Sequence, residues 1–223
     1  MKIKIIPRVI PKTLDDIVAA KARYIAFSKS IHIDAADGQF APNRTWLPLS
    51  GEKLPDAAVL FYEAHLMIEN PLSIGVAFAR AGAKRVIGHI EAFDNAECAR
   101  EAFDMWQKAG ATEVGVAIAF DTRLEELAPY TALCDFVHMM TVKTIGKQGA
   151  PFETPSIDRV AQIRARYPNM IISVDGGETV DSVDDLARVG ATRFCIGSAL
   201  AKAKDPEKEY SRLRKAAEVM LSV

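Results

Sequence analysis

Short apolar, β-branched runs alternate with longer stretches of helical period along almost the whole chain. The runs Lys2–Ile10, Ile31–Ala36, Phe61–Met67, Arg85–Glu91, Glu113–Phe120, Phe136–Val142, Met170–Asp175 and Arg193–Ile196 read as strands. Between most of them lie amphipathic stretches, among them Leu14–Ser28, Ala96–Ala109, Leu124–Leu133 and Ser156–Tyr167, and Glu207–Leu221 closes the chain with another. A strand followed by a helix, repeated, implies parallel strands joined by right-handed crossovers. Gly82, Gly110 and Gly190, each followed by Ala and then a strand, mark helix ends. Eight such units in 223 residues predict an α/β fold, a compact (β/α)8 TIM barrel, with residues 1–223 forming a single domain. A doubly wound open sheet is the alternative. One unit departs from the rhythm. Residues 39–55 carry three prolines and no helical period, so the second helix is expected to be missing or shortened. A loop of that length after a strand's C-terminal end belongs near the mouth of the barrel.

The chemistry gathers at the strand ends. His32 and Asp34, two apart in one strand, project to the same face. His65 closes the third strand and Asp175 the seventh, and in a barrel these ends converge on the face that carries active sites. Two imidazoles and two carboxylates can hold one divalent metal ion, with Zn, Fe, Mn and Co all compatible, and leave two bases beside it. Each residue alone also reads as a polar group satisfied at a strand terminus. Gly176-Gly177 after the seventh strand and Gly197-Ser198 after the eighth occupy the usual phosphate loops of such barrels. The loop around Gly146 reads either as a mobile flap over the ligand or as an ordinary connection. His89 and Glu91 repeat the two-residue spacing and could support a ligand from behind. His138, early in its strand, reads as a core or barrel-interior histidine. Met67, Met139 and Met140 could wall a pocket, although core packing is the ordinary role of such residues.

Composition narrows the setting. The 28 Lys and Arg balance 29 Asp and Glu for a formal charge of −1, and the cations are scattered, so neither nucleic acid nor a membrane surface is an expected partner. No apolar run approaches the roughly 20 residues that span a bilayer, and Pro7, Arg8 and Pro11 interrupt the first one too early for a secretory leader. Cys98, Cys134 and Cys195 are odd in number and lack metal-site spacing, which suits buried free thiols in a reducing, cytoplasmic compartment.

Six segments, in order, resemble the ribulose-phosphate 3-epimerase family of (β/α)8 barrels: HIDAADGQFAPN (His32–Asn43), AHLMIENP (Ala64–Pro71), GHIEA (Gly88–Ala92), MTV (Met140–Val142), VDGG (Val174–Gly177) and IGSA (Ile196–Ala199). The resemblance implies that His32, Asp34, His65 and Asp175 bind one divalent metal and that Asp34 and Asp175 form the acid–base pair. It implies a phosphate held at Gly176, Gly177, Gly197 and Ser198; Met67, Met140 and Gly146 are the further candidates for contact with the substrate. The implied reaction inverts C3 of a ketose phosphate through a metal-stabilised enediolate, D-ribulose 5-phosphate to D-xylulose 5-phosphate by default, a step of the pentose phosphate pathway. Family members commonly form homo-oligomers, and the same is expected here. Several departures touch the substrate wall. Arg8 stands where the family usually has a substrate-contacting serine and would bring a cation into or beside the pocket. Ala36 replaces a methionine, which widens the site, and Lys143–Gln148 lacks the family's Pro-Gly-Phe-Gly-Gly flap. These changes keep two alternatives open: the same chemistry on another ketose phosphate such as allulose 6-phosphate, and a phosphosugar-binding barrel without turnover.

Overall fold

The computed structural model describes residues 3–218. Eight parallel strands close into a barrel in sequence order: β1 (Lys4–Val9), β2 (Ser30–Ala36), β3 (Phe61–Met67), β4 (Arg85–His89), β5 (Glu113–Ile118), β6 (Phe136–Met140), β7 (Ile171–Asp175) and β8 (Arg193–Ile196), with β1 pairing both β2 and β8. Among the described residues seven helices surround them: α1 (Leu14–Tyr24), α2 (Pro71–Ala81), α3 (Ala96–Ala109), α4 (Ser156–Arg166), α5 (Val180–Arg188), the single turn α6 (Ser198–Ala201) and α7 (Pro206–Glu218). The expected first strand reached back to Lys2 and the expected last helix on to Leu221. Lys2 and residues 219–221 lie outside the described residues.

Local sequence explains most helix boundaries. Thr13 and Thr179 each cap a helix with reciprocal side-chain and backbone hydrogen bonds, and Asn95 Oδ1 accepts from the Glu97 and Cys98 amides at the start of α3. Gly82 ends α2 with φ 112°, a left-handed conformation that lets its N–H reach back to Phe78 and Ala79. Between β2 and β3 no helix forms, as the prolines predict. The helix expected at Leu124–Leu133 is a correction: only the 3-10 turn Leu124–Leu127 forms. Pro129 has no N–H to offer the Glu125 carbonyl, so the ladder of the turn cannot propagate.

The outer core lies between helices and strands. Trp106, fully buried, packs against Phe103 and Phe93 and donates its indole N–H to the Leu72 carbonyl at 3.0 Å. Gly75 has no Cβ because one would run into that indole. Inside the barrel the N-terminal end is closed by ion pairs. Arg85 joins Glu63 to Glu113, lies over the rings of Phe61 and Phe136, and Arg193 shares Glu113. This salt-bridged floor leaves the opposite end of the barrel for the polar cluster described next.

Candidate active site

Strand register brings the polar side chains together. Asp34 pairs with His65 across β2 and β3, Arg8 with His32 across β1 and β2, and Met140 with Asp175 across β6 and β7. His32 Nε2 and His65 Nδ1 each lie 3.1 Å from Asp34 Oδ1, and they lie 3.6 and 3.7 Å from Asp175 Oδ2. All four residues are buried, with exposures of 1% or less.

Each imidazole is held from behind, His32 by an acid and His65 by a second histidine. His32 Nδ1 sits 2.6 Å from Glu63 Oε1, and Glu63 is fixed in turn by Arg85. His65 Nε2 meets His89 Nε2 at 2.9 Å, and His89 Nδ1 meets Glu91 Oε2 at 3.0 Å. With a proton on His89 Nδ1 for Glu91, His89 Nε2 accepts from His65, and the lone pair of His65 Nδ1 faces the aspartates. Glu63 takes the Nδ1 proton of His32, so Nε2 is the nitrogen aimed at the aspartates. A carboxylate or a second base behind the imidazole is the usual support for a metal-ligating histidine.

Arg8 is placed between the two aspartates. Its Nη1 is 3.1 Å from Asp34 Oδ2 and 3.2 Å from Asp175 Oδ1, the oxygens turned away from the imidazoles. Burial pushes both carboxyl groups up, but the Arg8 cation outweighs it, helped at Asp34 by His32 and His65. Asp34 is held well below the usual carboxylate range and Asp175 below it. Burial takes His65 down to about 3. At His32 burial also pulls downward, yet Cys195, Asp34 and Glu63 together raise the imidazole well above its ordinary value. Ionised aspartates facing His32 are therefore the resting state of this cluster.

The donor set fits a divalent ion. Two ligands of one tetrahedral ion bound at about 2.0–2.2 Å stand roughly 3.3–3.6 Å apart, close to the 3.1–3.7 Å found here. Asp175 Oδ2, buried and turned to the imidazoles, has no hydrogen-bond partner among the described residues. An orphaned acceptor of that kind calls for a cation.

The remaining expected residues line the surroundings. Met67 packs with Ala36 and Ala41, and Met140 with Val142 and Ala150; Ile145 of the flap touches both groups. Phe40 also packs on the Ala36 group and sets its ring 4.8 Å from His89. The room that Ala36 leaves is thus walled by this chain's own long loop and flap, which qualifies the expected widening. Gly146, with φ 73°, lies so close to Asn43 that a Cβ would strike its side-chain oxygen, so loop and flap meet over the barrel. Gly177 and Ser198 line a cleft of about 470 Å³ together with Gly149 and Lys202. Gly197 lines another of about 320 Å³ with Arg8 and Gln148. Gly176 turns with φ 130° against Val142.

Two residues were missed by sequence reasoning as members of the site. His138, expected in the barrel interior and found there, also sends Nε2 to within 3.6 Å of Asp175 Oδ2. Glu178 is buried behind the Gly176-Gly177 turn, and burial followed by the nearby Asp175 lifts its carboxyl to about 7. Neither stands at a strand end, the signal that found the others. Cys98 and Cys134 are half-buried rather than buried, and all three thiols are free.

Comparison with known proteins gives the family and the fold. The model of the ribulose-phosphate 3 epimerase family matches residues 11–201. The chain is 32% identical over 187 residues to ribulose-phosphate 3-epimerase of Schizosaccharomyces pombe, covering 82% of this chain and 80% of the relative. It is 35% identical to the Chlamydia trachomatis protein of the same name, over 72% and 70% of the two chains. The cytoplasmic isoform from Oryza sativa is 29% identical over 96% and 94%. Among solved structures, KGPDC from Streptococcus mutans superposes with a TM-score of 0.73 at 13% identity, covering both chains fully. The 3-hexulose-6-phosphate synthase from Salmonella typhimurium gives 0.70 at 16%, over 96% and 98%. These two share the fold. No helix among the described residues is long and apolar enough to cross a membrane.

Proposed function

The chain belongs to the ribulose-phosphate 3-epimerase family of isomerases, and from that membership we propose that it inverts C3 of a ketose phosphate, D-ribulose 5-phosphate to D-xylulose 5-phosphate, with one divalent metal ion. The observation that carries the reading is the pairing of Asp34 and Asp175: each turns one oxygen to the imidazole pair and the other to a shared position 3.1–3.2 Å away, now filled by Arg8 Nη1. A carbon brought to that position has a carboxylate on either side.

Inversion needs that arrangement. One aspartate takes the C3 proton from one face, leaving a planar enediolate, and the protonated form of the other returns a proton to the opposite face. His32, Asp34, His65 and Asp175 would hold the ion, whose chemistry when bound is Lewis-acid stabilisation of the negative charge that develops on the substrate oxygens. Glu63 and the His89–Glu91 pair keep the two imidazoles aimed. Gly176, Gly177, Gly197 and Ser198 would receive the phosphate, and Met67, Met140 and Gly146 would line the sugar. Because the cluster is buried, substrate reaches it when the loop of residues 37–55 and the flap part at Gly146 and Asn43. Arg8 must then leave the space between the carboxylates. It packs against Gly197, so a short swing takes its charge toward the phosphate loops.

A second reading, the same chemistry on another ketose phosphate such as allulose 6-phosphate, is favoured by the replaced wall at Ala36 and at Ile145 of the flap, which pack on one another with Met67. Deuterium incorporation at C3 in D2O, read by NMR on metal-loaded protein, tests both. Exchange with formation of xylulose 5-phosphate supports the first. Exchange confined to a six-carbon ketose phosphate supports the second, and no exchange with either sugar removes both.

A further inference from the structure

His138 is fully buried on β6 and has no part in the reaction described above. Its Nε2 has no hydrogen-bond partner among the described residues, yet it lies 3.6 Å from Asp175 Oδ2. That separation is too long for a hydrogen bond and matches the roughly 3.3–3.6 Å between two donors on one tetrahedral ion. Donor atoms of His32, His65, His138 and Asp175 all fall within 4.8 Å of one another. We propose that His138 is a third imidazole ligand of the ion, an inference that rests on the metal reading given above.

The bonding behind the ring supports ligation. His138 Nδ1 lies 3.1 Å from Ser173 Oγ, Ser173 Oγ lies 3.7 Å from Cys195 Sγ, and Cys195 Sγ lies 3.4 Å from Glu63 Oε1. Glu63 stands at the accepting end, its Oε2 taking a guanidinium N–H of Arg85 and its Oε1 the Cys195 thiol. The protons along this chain therefore run one way: Cys195 donates to Glu63, Ser173 to Cys195, and His138 Nδ1–H to Ser173. His32 Nδ1–H ends on the same Glu63 oxygen. One carboxylate thus orients two imidazoles through Nδ1 and aims both Nε2 atoms into the cluster. Their rings stack at 16° with centroids 5.4 Å apart, and the His65 ring stands 4.7 Å from that of His138.

A third imidazole changes what the site can do. It adds a fifth donor beside His32, Asp34, His65 and Asp175. Either aspartate can then move a proton while four donors still hold the ion. Three nitrogen donors also tilt selection toward Zn, Co or Fe and away from Mg and Mn.

Cobalt(II) alone is the probe. Wild-type protein and His138→Leu are titrated with Co²⁺ against a competing chelator while the visible spectrum is recorded. Zinc-edge X-ray absorption on the unmodified protein counts imidazoles directly, so the result does not depend on how the variant folds. The expected outcome is three imidazoles, an altered Co²⁺ spectrum in His138→Leu, and an affinity loss of at least the roughly 10–100-fold that removal of an outer partner costs. Two imidazoles, with spectrum and affinity unchanged by the substitution, overturn the ligand role and leave the metal reading standing. Wild-type protein that takes up no Co²⁺ or Zn²⁺ overturns the metal reading, and the inference with it.

Discussion

Substituting Glu178 by glutamine isolates the one buried acid whose charge the fold resists. The Thr141 hydroxyl lies 2.7 Å from the Gly176 carbonyl and 2.9 Å from Glu178 Oε1. It has one proton, and the shorter contact takes it. The longer contact is favourable when Glu178 carries a proton of its own and donates to Thr141 Oγ1. Burial, then Asp175, lifts the Glu178 carboxyl from 4.5 to about 7. Because the folded value lies above the unfolded one, the stability from this group is whole below pH 4.5 and is lost as pH rises through 7. At about 1.36 kcal/mol per pH unit the loss is roughly 3 kcal/mol. Glutamine keeps the shape of the neutral acid, offers an N–H to Thr141 and has no proton to lose. Urea unfolding with chelator present should therefore find Glu178→Gln level with wild type near pH 4 and about 3 kcal/mol more stable at pH 8. A thermal melt at pH 8 should separate them by roughly 6–12 °C. If the difference between the two proteins is the same at both pH values, Glu178 is not protonated in the fold and the argument fails.

Three further outcomes test the rest of the site. Arg8→Met should cost the metal-free protein roughly 3–5 kcal/mol in urea unfolding, because it leaves Asp34 and Asp175 facing each other without a cation; an unchanged midpoint would show that Arg8 does not hold them. Asp34→Asn and Asp175→Asn should each lower turnover by about 10²–10⁴-fold, and each should spare solvent exchange at C3 of one epimer only. Equal exchange on both epimers in either variant contradicts two separate bases. His89→Ala should weaken Zn²⁺ binding roughly 10–100-fold by freeing His65 to rotate, measured by competition with a chromogenic chelator; wild-type affinity would show that His65 needs no support from behind.

Much of this protein can be read from its sequence, and the reasons are local. Alternation of apolar runs with helical periods fixes eight parallel strands, because each run must be buried on both faces and each helix on one. Three prolines between Gln39 and Pro55 remove a helix by taking away backbone donors. His32, Asp34, His65 and Asp175 stand out because a strand end in a barrel is a known place, whatever the distances turn out to be. Where local rules compete, the reading fails: Leu124–Leu133 has helical period, yet Pro129 stops it after one turn.

What the tertiary structure alone decides is which side chains reach the centre. His138 pairs with Ser173, two residues below the level of Asp175, and from strand position it belongs to the barrel filling. Its ring nevertheless reaches Asp175, because strand tilt and side-chain length set distances across a barrel, and neither is written in a local pattern. Arg8 shows no periodicity that says its guanidinium spans two aspartates on β2 and β7, and Glu178 follows its strand by three residues before turning back under Thr141. The sequence determined the elements and the strand ends that carry chemistry, because those follow from bonding between near neighbours. Closure of the barrel decided the charge balance at the centre, because opposite charges and lone pairs meet only where distant strands converge.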